Sequence, residues 1–483
     1  MSTSRTRTLA GDTVVLVFGT LGGSLVGFLM LPLYTRTLTS VEFGTVDLLT
    51  TALGLILPLL FLSVAEAVLR FAMSRGERTS DVLRTALTFV GGVSTLLVLA
   101  AAVATVWLPW PKVALVTSIL VVQSVNVVLG AWSRATARVR AYALSGVVQA
   151  AVVGAANVLF LLVLDLGVGG FLLSLLVGNV ACGVVLLLRL PIGRSLAEAT
   201  FDRSLLRRML LFSAPLVPNV IMWWLTNISG RYVLALTHGV GSVGVFGVAA
   251  RIPGLVTMVT AVFAQAWQLS ANRSVEDDDE AGRSRFYSGI FRYYAALLFL
   301  SVSTVVLVVR PVLRVAAAPA FQDAWLAVPP LLVGAMFAAL ATFYEAIYMA
   351  AHESGAIFRT TIAAGVGSVV LNVLLVPPFG LVGAAVSIAV SFVGLWLLRV
   401  VSSQRLTRTT VSPRLFVPGT ILLGVQISLQ YLGLPAGVLY PAMAVVWLTL
   451  IVLFRSEIGE IGRRTYGILP WARSPGNAGA SAA

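Results

Sequence analysis

The side chains able to do covalent or metal chemistry are few, and their spacing excludes most of it. The 483-residue chain has one cysteine, Cys182, and one lysine, Lys112, which follows Pro109-Trp110-Pro111. Without another lysine there is no GxxxxGK[ST] loop to cradle a nucleotide triphosphate, so a P-loop ATPase is excluded. A lone cysteine forms neither an internal disulfide nor a thiolate zinc cluster. The two histidines, His238 and His352, stand far apart in loops and are poor metal ligands on their own. The run Glu276-Asp277-Asp278-Asp279-Glu280 contains a DxD pattern of the kind that holds a metal–nucleotide, but it sits in a short polar loop with no nucleotide fold around it, which marks it as a solvated loop. What remains is arginine against a few carboxylates. Arg251, Arg36, Arg231 and Arg70 are candidates to bind an anion, because guanidinium meets phosphate or carboxylate with a planar, bidentate fork. Glu66, Asp47 and Glu345 are candidates for coupling or gating.

These residues are set in an apolar chain. Hydrophobic residues make up 58% of the sequence and charged residues only 11%, whereas soluble domains carry about 25% charge. A water-soluble enzyme, a disordered chain and a fibrous one are all excluded. One bilayer crossing takes roughly 20 apolar residues, so the composition has room for about 14 helices. Apolar runs bounded by charge or Gly/Pro breaks lie at about 14–34, 44–69, 85–107, 113–132, 142–164, 169–188, 209–229, 244–266, 293–309, 330–350, 362–377, 383–398, 415–432 and 437–454. The weakest is 415–432, which carries Gln426 and Gln430. The expected fold is an all-α polytopic membrane protein of about fourteen spans, without a soluble domain.

The net charge of +14 is a topology signal. With the N-terminus inside, 27 of the 33 basic residues fall in inside segments, among them Arg75, Arg138, Arg207 and Arg399. Cytoplasmic loops carry Lys and Arg, so both termini are expected in the cytoplasm. Anionic lipid headgroups account for the rest of the basic excess, and nucleic acid is not an expected partner. Trp107, Trp110, Trp223, Trp224 and Tyr232 are expected at the outer interface. The tail from Ser474 reads as disordered.

Two patterns recur six spans apart. Ser40-Val41-Glu42-Phe43-Gly44 resembles Ser242 to Gly247, and Asn157-Val158-Leu159 with Gly167 and Gly170 resembles Asn372-Val373-Leu374 with Gly380 and Gly383. An even number of spans between copies makes the repeat parallel, around an axis along the membrane normal, an arrangement that suits a transporter. The expected organisation is a six-helix lobe at 1–188, a cytoplasmic linker at 189–208, a second six-helix lobe at 209–401, two further spans within 402–454 and a cytoplasmic tail at 455–483.

Charges inside spans are costly and face a cavity or a partner. Arg251 lies seven residues into its apolar run, about 10 Å at 1.5 Å per residue, too deep to snorkel easily. Arg36 and Arg231 mark the outer ends of equivalent spans. They either snorkel to headgroups or face each other across the axis. Glu66 and Arg70 are four apart and can neutralise one another. Asn126, Asn157, Asn179, Asn219, Asn227 and Asn372 add uncharged polarity and are expected to bond across helices rather than touch substrate.

The stretch Leu31-Pro32-Leu33-Tyr34-Thr35-Arg36, followed by Glu42-Phe43-Gly44, Pro58 and Ala67-Val68-Leu69-Arg70-Phe71, resembles the opening of polysaccharide-type, O-antigen-flippase-like transporters of lipid-linked oligosaccharides. That family shares a superfamily with multidrug and toxin extrusion transporters. Leu371 to Pro377 with Gly380-Leu381-Val382-Gly383-Ala384-Ala385 is similar to the family's segment between spans eleven and twelve, and Arg231 and Phe246-Gly247 through Arg251 to its basic positions. The acidic residue often preceding the basic one in span seven is Gly230 here. The resemblance implies two six-helix bundles around a cationic cavity in a bacterial cytoplasmic membrane. It implies alternating access that carries an undecaprenyl-diphosphate-linked glycan to the outer leaflet. Diphosphate or acidic sugar would lie on Arg251, Arg36 and Arg231. No cofactor is implied, only Na+, H+ or membrane potential as the energy source. Expected partners are the lipid-linked glycan, the bilayer and polysaccharide assembly proteins, with a monomeric state. Drug–cation antiport and membrane glycan polymerisation or glycosyl transfer are the rival readings.

Overall fold

The computed structural model describes residues 27–459, apart from 75, 108, 259, 261–262, 265–266, 268–279, 352, 407–408 and 410. Most of the span expected at 14–34, the acidic run, His352 and the tail lie outside the described residues. The described residues are helical and contain no strand, as a bilayer demands of a chain whose backbone groups must bond internally.

The helices, in order, are α1 (Leu31–Thr37), α2 (Ser40–Leu60), α3 (Val64–Met73), α4 (Thr79–Ala104), α5 (Trp110–Ala135), α6 (Val139–Asn157), α7 (Gly167–Arg189), α8 (Ile192–Ala197) and α9 (Arg203–Ser213). They continue with α10 (Val217–His238), α11 (Val240–Arg251), α12 (Glu280–Ala316), α13 (Val328–Ala350), α14 (Ser354–Ser403), α15 (Pro413–Tyr431) and α16 (Ala436–Leu453). Among the described residues, eleven helical stretches are long and apolar enough to cross a membrane. The longest, Gly355–Ser403, is two spans joined at Gly380, whose backbone (φ 51, ψ −125) is not helical.

Start signals are visible in the sequence. Thr39 and Glu42 form a reciprocal capping box that opens α2. Proline opens α5, α10, α13 and α15, where its missing N–H costs nothing. Interior proline does the opposite. The run 44–69 is interrupted after Pro58: Phe61 to Ser63 leave the helix, with Leu62 (φ 48) and Ser63 (φ 50) in the left-handed region. Pro215 lies in a 3-10 turn at Ala214–Leu216 that links α9 to α10, so the span through Pro218 runs over Arg203–His238. It is longer than its apolar run. As a result Arg231 is not at a helix end but seven residues short of it, about 10 Å. Trp223 and Trp224 lie deeper still and do not belong to an interfacial belt. Trp107 and Trp110, which are largely exposed, do fit one.

The weakest expected span, 415–432, forms α15, and its glutamines explain how. Gln426 and Gln430 are fully buried: Ser303 donates to Gln426 Oε1 at 2.6 Å, and Gln430 Nε2 donates to the Val306 carbonyl at 2.7 Å. Amide bonds thus fix α15 to α12 where apolar contact alone specifies little inside a bilayer.

The two matched patterns have similar surroundings in three dimensions. Gly167 (φ 52) and Gly380 (φ 51) both take a positive φ that favours glycine. Asn157 Nδ2 donates to the Tyr34 hydroxyl at 3.0 Å, and Asn372 Nδ2 to Ser229 Oγ at 2.9 Å, so each asparagine ties its helix to the first span of its own half. The copies meet where α2 crosses α11. A Cβ on Gly44 would lie 2.0 Å from the Val240 carbonyl oxygen, and one on Gly244 would lie 2.0 Å from that of Ser40. The crossing is reciprocal, and it corrects the register: Gly44 corresponds to Gly244, not Gly247.

Candidate substrate site

Arg251 closes α11, eleven residues after Val240, or about 16 Å along the helix and deeper than its apolar run suggests. Its Nη1 donates to the Gly27 carbonyl at 2.9 Å. The guanidinium carbon lies 5.1 Å from the centre of the Tyr34 ring and 5.2 Å from that of Phe43, distances at which ring quadrupoles favour a cation. Phe171 meets Tyr34 edge-on at 5.4 Å, and Phe321 meets Phe43 at 5.8 Å. These contacts hold the two rings in place. Among the described residues no carboxylate forms an ion pair with Arg251.

Asp47, the nearby acid, is already engaged. Its Oδ2 lies 2.7 Å from Arg231 Nε, and both side chains are largely buried. Arg231 Nη1 also donates to the Asn227 carbonyl at 3.1 Å, and the guanidinium lies 5.3 Å from the Phe246 ring centre. Tyr232 donates to the Leu48 carbonyl and Trp224 Nε1 to that of Thr51, so α10 is joined to α2 along about two of its turns. Arg231 therefore turns to Asp47 and not to Arg36. Arg36 stands exposed in the last turn of α1, in the position of a headgroup contact. With Asp47 neutralising Arg231, the cluster of three charges keeps one net positive charge, on Arg251.

The remaining candidates lie elsewhere. Glu66 and Arg70 do not pair: Arg70 covers the Phe212 ring at 4.2 Å, and Glu66 faces a ≈ 200 Å³ cavity beside the break in the second span, together with Phe61, Ser63 and Val220. The helix places them one turn apart, but α9 offers Arg70 an aromatic face. Glu345 binds Arg399 at 3.1 Å. The sequence assigned Arg399 to an inside loop because a charge ends an apolar run. Instead it is 1% exposed, within α14. There it donates to the Ala341 carbonyl and to Thr360 and Thr361, and its own carbonyl accepts from Tyr348. Three uncharged acceptors and one carboxylate satisfy it, so it is a structural cation. Among the described residues no cluster of three His, Cys, Asp or Glu could hold a metal ion.

A second cavity, of ≈ 320 Å³, opens beside Arg231 between α10, the continuation of α11 through Pro253, α13 and α14. Trp223, Asn227 and Arg231 line it at intervals of four residues, one face of α10. The sequence marks Trp223 only as an interfacial aromatic and Asn227 only as a polar residue within a span; nothing in it points to a cavity beyond that spacing.

Fully helical spans, broken helices at Phe61–Ser63 and Gly380, and a half-buried arginine where α11 meets α1 and α2 define a polytopic membrane protein of transporter-like architecture. The chain belongs to the polysaccharide biosynthesis protein family, whose profile matches residues 9–268. Solved structures share the fold. The lipid II flippase MurJ in an inward closed conformation superposes with a TM-score of 0.66 at 11% identity, over 92% of this chain and 100% of that one. An inward-facing multidrug resistance MATE family transporter of the MOP superfamily gives 0.63 at 16%, over 86% and 98%. A MOP superfamily transporter from Pyrococcus furiosus, described as having a binding pocket of reverse polarity, gives 0.59 at 15%, over 86% and 95%. No curated protein sequence matches the chain.

Proposed function

We propose that the chain is a flippase that carries an undecaprenyl-diphosphate-linked oligosaccharide from the inner to the outer leaflet of a bacterial cytoplasmic membrane by alternating access. The observation that carries this reading is Arg251: a guanidinium held between two aromatic rings, with no carboxylate to neutralise it among the described residues. A partly buried guanidinium with no carboxylate partner keeps N–H edges for an anion, and a diphosphate offers two bidentate acceptors. The family's description and the name of the lipid II flippase support a glycan-linked lipid as cargo.

In this reading the protein is a transporter and not an enzyme, with six-helix lobes at 1–188 and 209–401 joined by the linker 189–208, spans 13 and 14 appended, and both termini in the cytoplasm. Na+, H+ or the membrane potential supplies the work. A drug–cation antiporter needs a free carboxylate at the central site, and there Asp47 is bound to Arg231, while Glu66, unpaired among the described residues, faces a separate cavity beside the break in the second span. The test is a deletion strain complemented with wild type or Arg251→Ala. Wild type clears a lipid-linked glycan from the inner leaflet, whereas Arg251→Ala, at normal membrane abundance, leaves it there. Clearance by Arg251→Ala would overturn the reading.

A further inference from the structure

The ≈ 320 Å³ cavity beside Arg231 has a chemistry unlike that of Arg251, although Ala250, the preceding residue, lines it. Its space is created by small side chains. A Cβ on Gly254 would meet nothing within 4 Å, and Ala335 and Ala338 are only half-buried in a helix whose Met336 and Phe337 are buried. Trp223 is 43% exposed despite its depth, and the Phe392 ring supports it edge-on at 5.5 Å.

The polar groups here are uncharged in sum. Asp47 takes the Arg231 Nε and the Asn227 carbonyl takes Nη1, which leaves the far Nη2 edge of the fork. The Asn227 amide donates to the Trp223 carbonyl and keeps its oxygen as an acceptor. An anion finds no free positive charge at this place, and a cation finds no free carboxylate. An alkyl chain would strip water from the guanidinium edge and the amide without replacing it, a costly exchange. A flat aromatic face with a donor and an acceptor at its rim, all without net charge, suits a ring that is apolar on one face and hydroxylated at its edge.

We infer that this cavity is a binding subsite for one uncharged pyranose, the sugar next to the diphosphate, with Trp223 as its stacking face and Asn227 and Arg231 as its hydroxyl partners. The inference rests on the flippase reading, since it places the phosphates on Arg251 and the first sugar on the adjoining face of the same helix. At ≈ 320 Å³ the cavity lies at the lower end of the roughly 300–1,000 Å³ of small-molecule sites, enough for one saccharide unit and not for a chain of them.

The experiment compares two probes on the purified full-length protein in detergent by calorimetry: a short-chain prenyl diphosphate, and the same lipid bearing one neutral hexose. Wild type binds the glycosylated probe about tenfold more tightly, the scale of one aromatic contact. Trp223→Ala brings that ratio to about one, and Trp223→Tyr restores most of it. Ala338→Leu, which fills the space and leaves every polar group in place, also brings the ratio to about one. Arg251→Ala weakens both probes and keeps the ratio. A ratio unchanged in both Trp223→Ala and Ala338→Leu overturns the sugar subsite, as does a wild-type ratio of one. If wild type binds neither probe, the flippase reading fails and the subsite falls with it.

Discussion

Three arginines illustrate how differently one residue type is used in a bilayer: Arg399 is satisfied, Arg231 is paired and Arg251 is neither. Their substitutions should separate accordingly. Arg251→Ala removes an unbalanced, half-buried charge, so membrane abundance should hold while export collapses. Arg251→Lys should retain part of the export, because the charge survives but the fork does not. Arg251→Glu should be the most defective, because it repels an anion. Loss of protein in Arg251→Ala would instead reveal a carboxylate partner. Asp47→Asn strands Arg231, and breaking a buried pair from one side costs about 3–5 kcal/mol, so this variant should fall in abundance on immunoblots of membranes. Glu345→Gln should cost less, because the Glu345 side chain is partly exposed and Arg399 keeps three uncharged acceptors. Asp47→Asn combined with Arg231→Gln should recover much of the loss, and a double variant no more abundant than the single would refute the pairing.

The depth of Arg251 was legible because an isolated charge inside an apolar run can be located by counting. The pairing of Asp47 with Arg231, 184 residues apart, left no trace in local spacing, since only tertiary packing brings α2 to α10. Arg399 misled for the opposite reason: it ends an apolar run, as a cytoplasmic charge does, and only the hydroxyls of Thr360 and Thr361 and the carboxylate of Glu345 reveal that it stays inside.

At the scale of elements, helix starts were readable from proline and the capping box, whereas helix ends were not. The span through Arg231 outlasts its apolar run because a polar residue within a bundle can be bonded by a neighbouring helix, which composition does not register. The crossing of α2 and α11 carries the sharpest steric prediction. Gly44→Leu would force a side chain into the Val240 carbonyl, and overpacking of this kind typically costs 1–3 kcal/mol or more. Membrane abundance should fall, and the residual protein should melt at lower temperature. Gly54→Leu, on the same helix with nothing within 4 Å of its Cβ, should leave both measures unchanged. Equal behaviour of the two variants would remove the crossing as a constraint. The family resemblance in this region, Glu42-Phe43-Gly44, is therefore a packing signature as much as a functional one: Glu42 caps, Phe43 faces Arg251 and Gly44 admits the partner backbone.

For the whole molecule, the arginine distribution over the fourteen expected spans predicts the orientation. A reporter active only outside the cytoplasm should be silent when fused after Arg78, Arg138 or Asp278 and active after Lys112 or Asp323. Activity after Asp278 would shift every downstream helix by one crossing. Replacing Asp277, Asp278 and Asp279 with Asn should leave glycan export intact, and its loss at normal abundance would revive a metal–nucleotide role for that loop.

The reciprocal glycine crossing also bears on how such a chain can change over time. In a duplicated protein each copy is free to drift as long as it meets only its own neighbours. At the α2–α11 contact each copy's backbone is the other's obstacle: Gly44 is limited by Val240 and Gly244 by Ser40. A side chain gained in either half meets main chain, which cannot be mutated away, so neither half can relieve the other. Sequences elsewhere in the two halves can lose all likeness, whereas these two positions are held to the same residue by a single shared surface.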